Sequence, residues 1–327
     1  MIDKLFIYKA NGLNPYINIA TEKLLLESVP ENSCILYLWQ NENTVVIGRN
    51  QNAWAECRTN LLAEEGGKLA RRLSGGGAVF HDIGNLNFTF LMNDADYDLD
   101  KQLSVIQNAC QSVGIPVIRS GRNDLLTDGQ KFSGNAFYHT QEKAYHHGTL
   151  LVNANMEKLS RYLTPSKAKL QAKGVSSVRS RVINLQDIVP PLTCRTLSDC
   201  MEEAFCSVYK LTAEDILLTK EDSLKIEEYA KTLSSWEWLY GPRLPFSVEY
   251  EQRFAWGSVS IQLQIQSGKI IDIKVYSDAM DWTLASAVEL ALMDCRFQID
   301  SIVDSLSKAN LDPTVFNDIC QMLSEQT

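Results

Sequence analysis

Residues 71–82 read Arg71-Arg72-Leu73-Ser74-Gly75-Gly76-Gly77-Ala78-Val79-Phe80-His81-Asp82. Three consecutive glycines lie between strand-like segments. Without Cβ atoms the backbone can approach a ligand closely and offer its N–H groups to anionic oxygens. The two arginines just before them can make bidentate, charge-assisted contacts with phosphate or carboxylate. On these residues alone, a flexible turn flanked by charge is an equal reading. The spacing fits neither the Gly-x-x-x-x-Gly-Lys-Ser/Thr loop nor the Gly-x-Gly-x-x-Gly fingerprint, so the usual nucleotide folds find no support.

Working outward, strands are expected over 68–73 and 85–92 on either side of the run, and over 34–40 and 44–48 before it. Asn14-Pro15 supplies a capping residue and a proline for the first turn of a helix. A helix over 101–113 places Leu103, Ile106, Cys110 and Val113 on one face. Strands over 117–119, 124–127, 130–138 and 145–151 follow, with Asp128-Gly129 as a turn. Two helices, 196–209 and 221–233, close this part. The segment 236–245, with Gly241, Pro242 and Pro245, breaks the pattern and marks a boundary. Beyond it Val259, Ile261, Leu263 and Ile265 alternate with polar residues, Ser267-Gly268 turns, and Ile271, Ile273 and Val275 continue a hairpin. Ile299, Ile302, Val303 and Leu306 then recur at helical spacing, and Asp312-Pro313 caps a last helix. The expected architecture is α+β: a mixed-sheet first domain over 1–240 and a small α+β domain over 246–327.

Other polar clusters stand out. Gly121-Arg122-Asn123-Asp124 precedes Lys131-Phe132-Ser133-Gly134, and a lysine there could offset charge on a transferring phosphate. A solvated hairpin lysine is the commoner outcome. His146 and His147 are adjacent on a strand and so point to opposite faces, which does not suit zinc. One is expected to face a pocket and the other to pack. The basic segment 173–182 reads as a surface loop or a lid over a charged ligand.

The chain has 327 residues and a net charge of −9, which argues against a general nucleic-acid binder. Arg71-Arg72 and Arg179-Ser180-Arg181 are candidate local basic patches. No apolar stretch approaches the roughly 20 residues of a membrane helix. The start lacks a signal-peptide pattern. Eight cysteines occur without a Cys-x-x-Cys pair, consistent with reduced, buried thiols in a cytoplasmic protein.

Taken in order, these strings resemble the lipoate–protein ligase family of the biotin/lipoate ligase superfamily: 71–82 with Gly84-Asn85, then 121–125, 131–134, 146–151 and 173–181. Trp238-Leu239-Tyr240-Gly241 and the residues beyond look like that family's C-terminal accessory domain. The resemblance implies a biotin/lipoyl-ligase-type catalytic domain. It also implies that lipoate is activated by ATP to lipoyl-AMP with release of pyrophosphate, and that the acyl group then passes to a lysine. The implied acceptors are apo lipoyl domains of 2-oxoacid dehydrogenase acyltransferase subunits and the glycine-cleavage H protein.

By the same resemblance Lys131 is the catalytic-site lysine. Arg72, Gly77, Ala78, Val79, Phe80, Asn123, Asp124 and Lys131 meet ATP or the adenylate. Arg72, Ser74, Gly75, Gly76, His81, Lys131 and His147 meet lipoate, with Asn85, Phe88 and Ala136 along the acyl tunnel. Magnesium is implied by the ATP chemistry, with Asp124 a guess for a ligand. The segment 173–181 matches an adenylate-binding loop. Rivals are a lipoyltransferase using preformed lipoyl-AMP or another acyl donor, a biotin–protein ligase, and a catalytically idle binder. The thioester-exchanging relatives need a cysteine beside the lysine region, and none lies between Cys110 and Cys194 in sequence.

Overall fold

The computed structural model describes residues 1–120, 124–164, 182–241 and 246–324. Strand β1 (Lys4–Lys9) leads through α1 (Pro15–Ser28) to β2 (Ser33–Trp39), which runs parallel to it. A parallel pair needs such a crossover, because a tight turn reverses the chain. Helix α1 starts where Asn14 accepts a hydrogen bond from the Tyr16 N–H at 3.0 Å, with Pro15 in the first turn. Next come β3 (Thr44–Ile47), α2 (Ala53–Glu56), α3 (Thr59–Glu64), β4 (Lys68–Arg71), β5 (Val79–His81) and β6 (Asn85–Asn93). Then follow α4 (Leu99–Ser112), β7 (Ile118–Ser120), β8 (Asp124–Thr127), β9 (Gln130–His139) and β10 (Lys143–Leu151). The first part ends with α5 (Met156–Tyr162), α6 (Cys194–Tyr209), β11 (Ala213–Asp215), α7 (Lys220–Leu233) and α8 (Trp236–Leu239).

Eight strands form one mixed sheet in the order β11-β1-β2-β6-β10-β9-β8-β7, and β4-β3-β5 form a second, small sheet. Every residue of β2 is buried, and its two faces serve two cores. Cys34, Leu36 and Leu38 pack with Phe88 and Phe90 against Val105, Ile106 and Ala109 of α4 and Met201 and Phe205 of α6. Ile35, Tyr37 and Trp39 face the other way, toward Ile19 and Leu25 of α1, Ile226 and Ala230 of α7, and Val46 and Ala70 of the small sheet. Between this second face and the small sheet lies the cavity described below.

The C-terminal part is an antiparallel sheet of β12 (Val248–Phe254), β13 (Gly257–Gln266) and β14 (Lys269–Ser277), with helices α9 (Leu284–Leu292), α10 (Ile299–Ser307) and α11 (Pro313–Ser324). Most of the alternation seen in sequence is the register observed: Val259, Ile261 and Leu263 are buried in β13, and Ile261 pairs with Val275, but the register shifts between Gln264 and Ile265, so that Ile270 is buried and the expected Ile271 is exposed. Both turn residues, Ser267 and Gly268, have positive φ (51° and 73°), as a two-residue hairpin with the sheet's right-handed twist requires. These strands share a core with Val288, Leu292, Ile302, Leu306 and Ile319.

Most expected elements appear with ends displaced by a residue or two. Strands β1, β11 and β12 and helices α2, α3, α5 and α8 have no counterpart in the sequence reading. Helix α8 lies inside the segment taken as a boundary, and a buried arginine holds it. Arg71 donates to the carbonyls of Trp238 (2.8 Å) and Leu239 (2.6 Å), and also to those of Gly48, Arg49 and Gln51. The Trp238 indole returns a bond to the Arg71 carbonyl at 3.0 Å. Arg71 is therefore a buried brace, not part of a surface basic patch. Residues 242–245 lie outside the described residues. Among the described residues no helix is long and apolar enough to cross a membrane.

Candidate active site

Strand β6 explains why a cavity exists. Its apolar residues Leu86, Phe88, Phe90 and Met92 fill the helix-side core, while Asn85, Asn87 and Thr89 point to the opposite face and are also buried. Pairing sets Trp39 of β2 and Thr149 of β10 on either side of Asn87, and Tyr37 and His147 on either side of Thr89. The cavity over this face is lined by Trp39, Asn87, His147 and Thr149 from these strands and by Lys131, Gly134, Asn135 and Ala136 from β9. Arg72, Gly76, Gly77, Ala78, Val79 and His81 close it from the small sheet, and Ile19 and Glu22 of α1 complete it.

The Arg72 guanidinium is buried and curls the glycine run around itself. Its Nη2 donates to the carbonyls of Gly75 (2.7 Å) and Gly77 (2.8 Å), and its Nε to Ser74 Oγ (3.1 Å). Burial lowers it to about 10, so it stays cationic at neutral pH. Ser74 Oγ lies 2.8 Å from His147 Nε2, and His147 Nδ1 lies 2.8 Å from Glu22 Oε1. Thr89 donates to the same carboxylate oxygen at 2.7 Å, and the Trp39 indole donates to Thr89 at 3.1 Å. One proton assignment satisfies the chain with a neutral imidazole. Arg72 donates to Ser74, Ser74 to His147 Nε2, and His147 Nδ1–H to Glu22.

Lys131 reaches the cavity from β9, just beyond the Asp128-Gly129 turn, where both residues have positive φ. Its Nζ sits 2.6 Å from Asp124 Oδ1, each side chain about a third exposed (34% and 36%). Gly134 makes the room: a Cβ there would stand 3.0 Å from Lys131 Nζ. Gly148 is tighter, since its Cβ would meet Phe88 Cζ at 2.6 Å and the Gly134 carbonyl at 2.7 Å. The cavity thus has an ion-paired cation, Lys131, a fixed cation in its wall, and apolar lining from Ile19, Trp39, Val46 and Ala136, which suits an amphipathic carboxylic acid.

Of the residues singled out in sequence, Arg72, Gly76, Gly77, Ala78, Val79, His81, Lys131, His147 and Ala136 line this cavity. Ser74 stands behind His147, and Gly75 faces the C-terminal part. There the Gly76 N–H donates to the Ala279 carbonyl at 2.9 Å, and a Cβ on Gly75 would lie 2.4 Å from the same oxygen. Phe80 departs from the expectation: its ring packs in a separate core, 5.5 Å from that of Tyr162, because strand alternation turns it away. Phe88 is likewise on the wrong face of β6, where Asn87 takes the tunnel position expected for Phe88 and Asn85. Asp124, guessed as a metal ligand, pairs with Lys131. Asn123 and the segment 173–181 lie outside the described residues.

His146 packs, as the alternation requires. It is buried among Phe88, Phe90 and Phe137 with ring nitrogens on Gln102 and Asn135, and burial pushes it down to about 3. Reading the sequence missed Glu22, Trp39, Asn87, Asn135 and Thr149. Glu22 carried a signal: it falls at helical spacing between Ile19 and Leu25, on a face otherwise apolar. No cysteine among the described residues lines the cavity. Burial raises the thiols of Cys34, Cys57 and Cys110 to about 12, far from nucleophilic.

Residues 14–206 match the family model of the lipoyl protein ligase A/B catalytic domain, and 243–323 that of the bacterial lipoate protein ligase C-terminus. A curated lipoate-protein ligase A from Psychrobacter cryohalolentis is 40% identical over 320 residues, covering 94% of each chain. The chain belongs to the lipoate–protein ligase family. Among solved structures, P. falciparum LipL1 in complex with lipoate superposes with a TM-score of 0.87 at 28% identity, over 98% of this chain and 100% of that one. The bipartite lipoate protein ligase of Thermoplasma acidophilum, studied with its E2 lipoyl domain, reaches a TM-score of 0.66 at 24% identity. It covers 76% of this chain and 100% of that one, a likeness that shows the lipoate-ligase fold. This member of the family is thus a mixed α+β enzyme in two-domain form.

Proposed function

We propose that this lipoate–protein ligase activates lipoate with ATP and passes the acyl group to a lysine of an apo lipoyl domain. The observation that carries the reading is the placement of Lys131 and Arg72 on one cavity with apolar lining from Ile19, Trp39, Val46 and Ala136. Likeness to a protein solved with lipoate supports the acid. Glu22 places a carboxylate deep in the lining and Lys131 a cation at the other end, so a carboxylic acid binds with its charged group toward Lys131.

In the first step a carboxylate oxygen attacks the α-phosphorus and pyrophosphate leaves. Lys131, released from Asp124, offsets the charge gathering on the α-phosphoryl oxygens. The backbone of Gly77 and Ala78 lines the same space and offers further N–H donors. In the second step an unprotonated lysine amine attacks the acyl carbon, AMP leaves with the bonding electrons, and the nitrogen gives up a proton. Lys131 then stabilises the carbonyl oxygen and the departing phosphate. Magnesium carried by ATP takes one or two carboxylates from a protein and keeps water and phosphate for its other positions. Asp124 fits such a ligand position, where the ion would neutralise phosphate charge. The acyl stretch between sheet and small sheet keeps water from the mixed anhydride. We assign catalysis to residues 1–240 and the accessory role to 246–327.

The test is pyrophosphate release from ATP and magnesium with lipoate and no acceptor, followed by the mass of an added apo lipoyl domain. Lipoate-dependent release and a lipoyl mass gain are expected. Modification only when lipoyl-AMP is supplied would replace this reading with that of a lipoyltransferase.

A further inference from the structure

The acyl end of the cavity is not uniformly apolar. Strands β9, β10, β6 and β2 are consecutive in the sheet, and neighbours lie about 4.8 Å apart. Asn87 on β6 is therefore two strands, roughly 10 Å, from the strand of Lys131. His81 meets this end from the small sheet, its ring edge-on to Trp39 at 6.0 Å. Both side chains are almost fully buried, 3% exposed for His81 and 1% for Asn87.

Each has a nitrogen with no hydrogen-bond partner among the described residues: His81 Nε2 and Asn87 Nδ2. The surrounding network fixes both as donors. Asn18 donates to Asn41 Oδ1 at 3.0 Å, which turns Asn41 Nδ2 toward His81 Nδ1 at 3.2 Å. Nδ1 then accepts, and the proton of the neutral ring sits on Nε2. Asn85 donates to Asn87 Oδ1 at 2.8 Å, which leaves the Asn87 amide N–H groups facing the cavity. Buried donors without acceptors are costly, so a ligand that brings an acceptor to this point is favoured over one that does not.

We propose that His81 and Asn87 make the site selective for an acyl chain ending in sulfur over an alkyl chain of the same carbon count. Sulfur is a weak acceptor for the two N–H groups and makes favourable contacts at the edge of an aromatic ring such as that of Trp39. The methyl end of octanoate offers neither. A wholly apolar lining would tell the two chains apart by size and buried apolar area alone, and replacing His81 or Asn87 would leave their ratio unchanged. This inference deepens the proposed function and rests on it for the identity of the acid.

The experiment titrates lipoate and octanoate into the full chain by calorimetry, and measures kcat/KM for pyrophosphate release with each acid. Wild type, Asn87→Leu and His81→Phe are compared. Wild type is expected to bind lipoate about tenfold more tightly than octanoate, the scale of one lost pairing. The ratio should fall toward one in either variant, with octanoate as the internal reference for any folding defect. Equal binding of the two acids by wild type overturns the inference, as does a parallel loss for both acids in both variants. Pyrophosphate release with neither acid, while lipoate still binds preferentially, would instead overturn the two-step reading and leave this one standing.

Discussion

Lys131 lines the cavity and pairs with Asp124, and in the proposed mechanism it leaves that pair to meet the reacting groups. Replacing Lys131 with alanine removes a preorganised cation and is expected to lower pyrophosphate release by about a hundredfold or more. Lipoate binding should fall far less, since Arg72 and the apolar wall remain, and calorimetry beside the rate assay separates the two. A binding protein without catalysis would lose only a contact. His81 and His146 lead to a pH prediction. Burial, with the neighbouring Arg72 charge at His81, pushes both down to about 3. In the unfolded chain each takes a proton near 6.5. The unfolded state then binds protons that the native state refuses, so stability is flat above pH 7 and falls from 6.5 toward 3. Each ring contributes a slope of about 1.4 kcal/mol per pH unit. Thermal unfolding from pH 7.5 to 5 should show this, with a flatter fall in His146→Gln. A slope unchanged in that variant would assign the loss to other groups. At this scale the sequence made Lys131, Arg72 and His147 visible because their neighbours resemble known strings. Asn87 stayed hidden because Asn85-Leu86-Asn87-Phe88-Thr89-Phe90 alternates like a strand with one wet face. Only the small sheet folded over it shows that the polar face is inside.

The elements carry their own constraints. The Gly75-Gly76-Gly77 run was legible as a place of close approach, but the partner was not. Gly76 has φ +88°, and the atoms nearest to a Cβ on Gly75 are the carbonyls of Ala279 and Met280. The approach at Gly75 is therefore to the accessory domain's own backbone. Gly75→Ala would place a methyl carbon 2.4 and 2.5 Å from those oxygens, which no small adjustment relieves. The loop after β14 is expected to lift away. Trp282 reports on it, because its ring lies 4.9 Å from that of Tyr138 and its indole bonds the His139 carbonyl at 3.2 Å. A red-shifted Trp282 emission, isolated by difference against Trp282→Phe, is the expected signal. An unshifted spectrum would show that the loop holds its place. The hairpin of β13 and β14 could be read at Val259, Ile261, Leu263, Ile273 and Val275 because one face is buried and a slip of one position would expose it, but the register shift after Gln264 puts Ile270, not the expected Ile271, in the core. Strand β12 could not be read, since as an edge strand rich in charge it buries only Tyr250 deeply.

At the scale of the molecule, Arg71 joins parts that are far apart in the chain. Its three nitrogens reach five carbonyls, Nη1 those of Gly48, Arg49 and Gln51 after β3, and Nε and Nη2 those of Trp238 and Leu239 in α8. Arg71→Met leaves several of these oxygens buried and unmatched, and should destabilise the first domain by on the order of 3 kcal/mol. Urea unfolding should show the loss, with Arg71→Lys recovering little, because an ammonium cannot span the same set. Sequence could not tell Arg71 from Arg72, which share charge and context and differ only in the side of the strand they leave from. The expected boundary over 236–245 is rooted at its first half by this contact.

The bond between the Gly76 amide and the Ala279 carbonyl has a last consequence. One N–H serves one strong acceptor at a time, so while the Ala279 carbonyl holds this amide it is closed to a ligand oxygen. A nucleotide that claims this amide must evict the accessory loop, and the two occupants are then competitors. Their antagonism is reciprocal: the factor by which the docked domain weakens the nucleotide equals the factor by which the nucleotide loosens the domain.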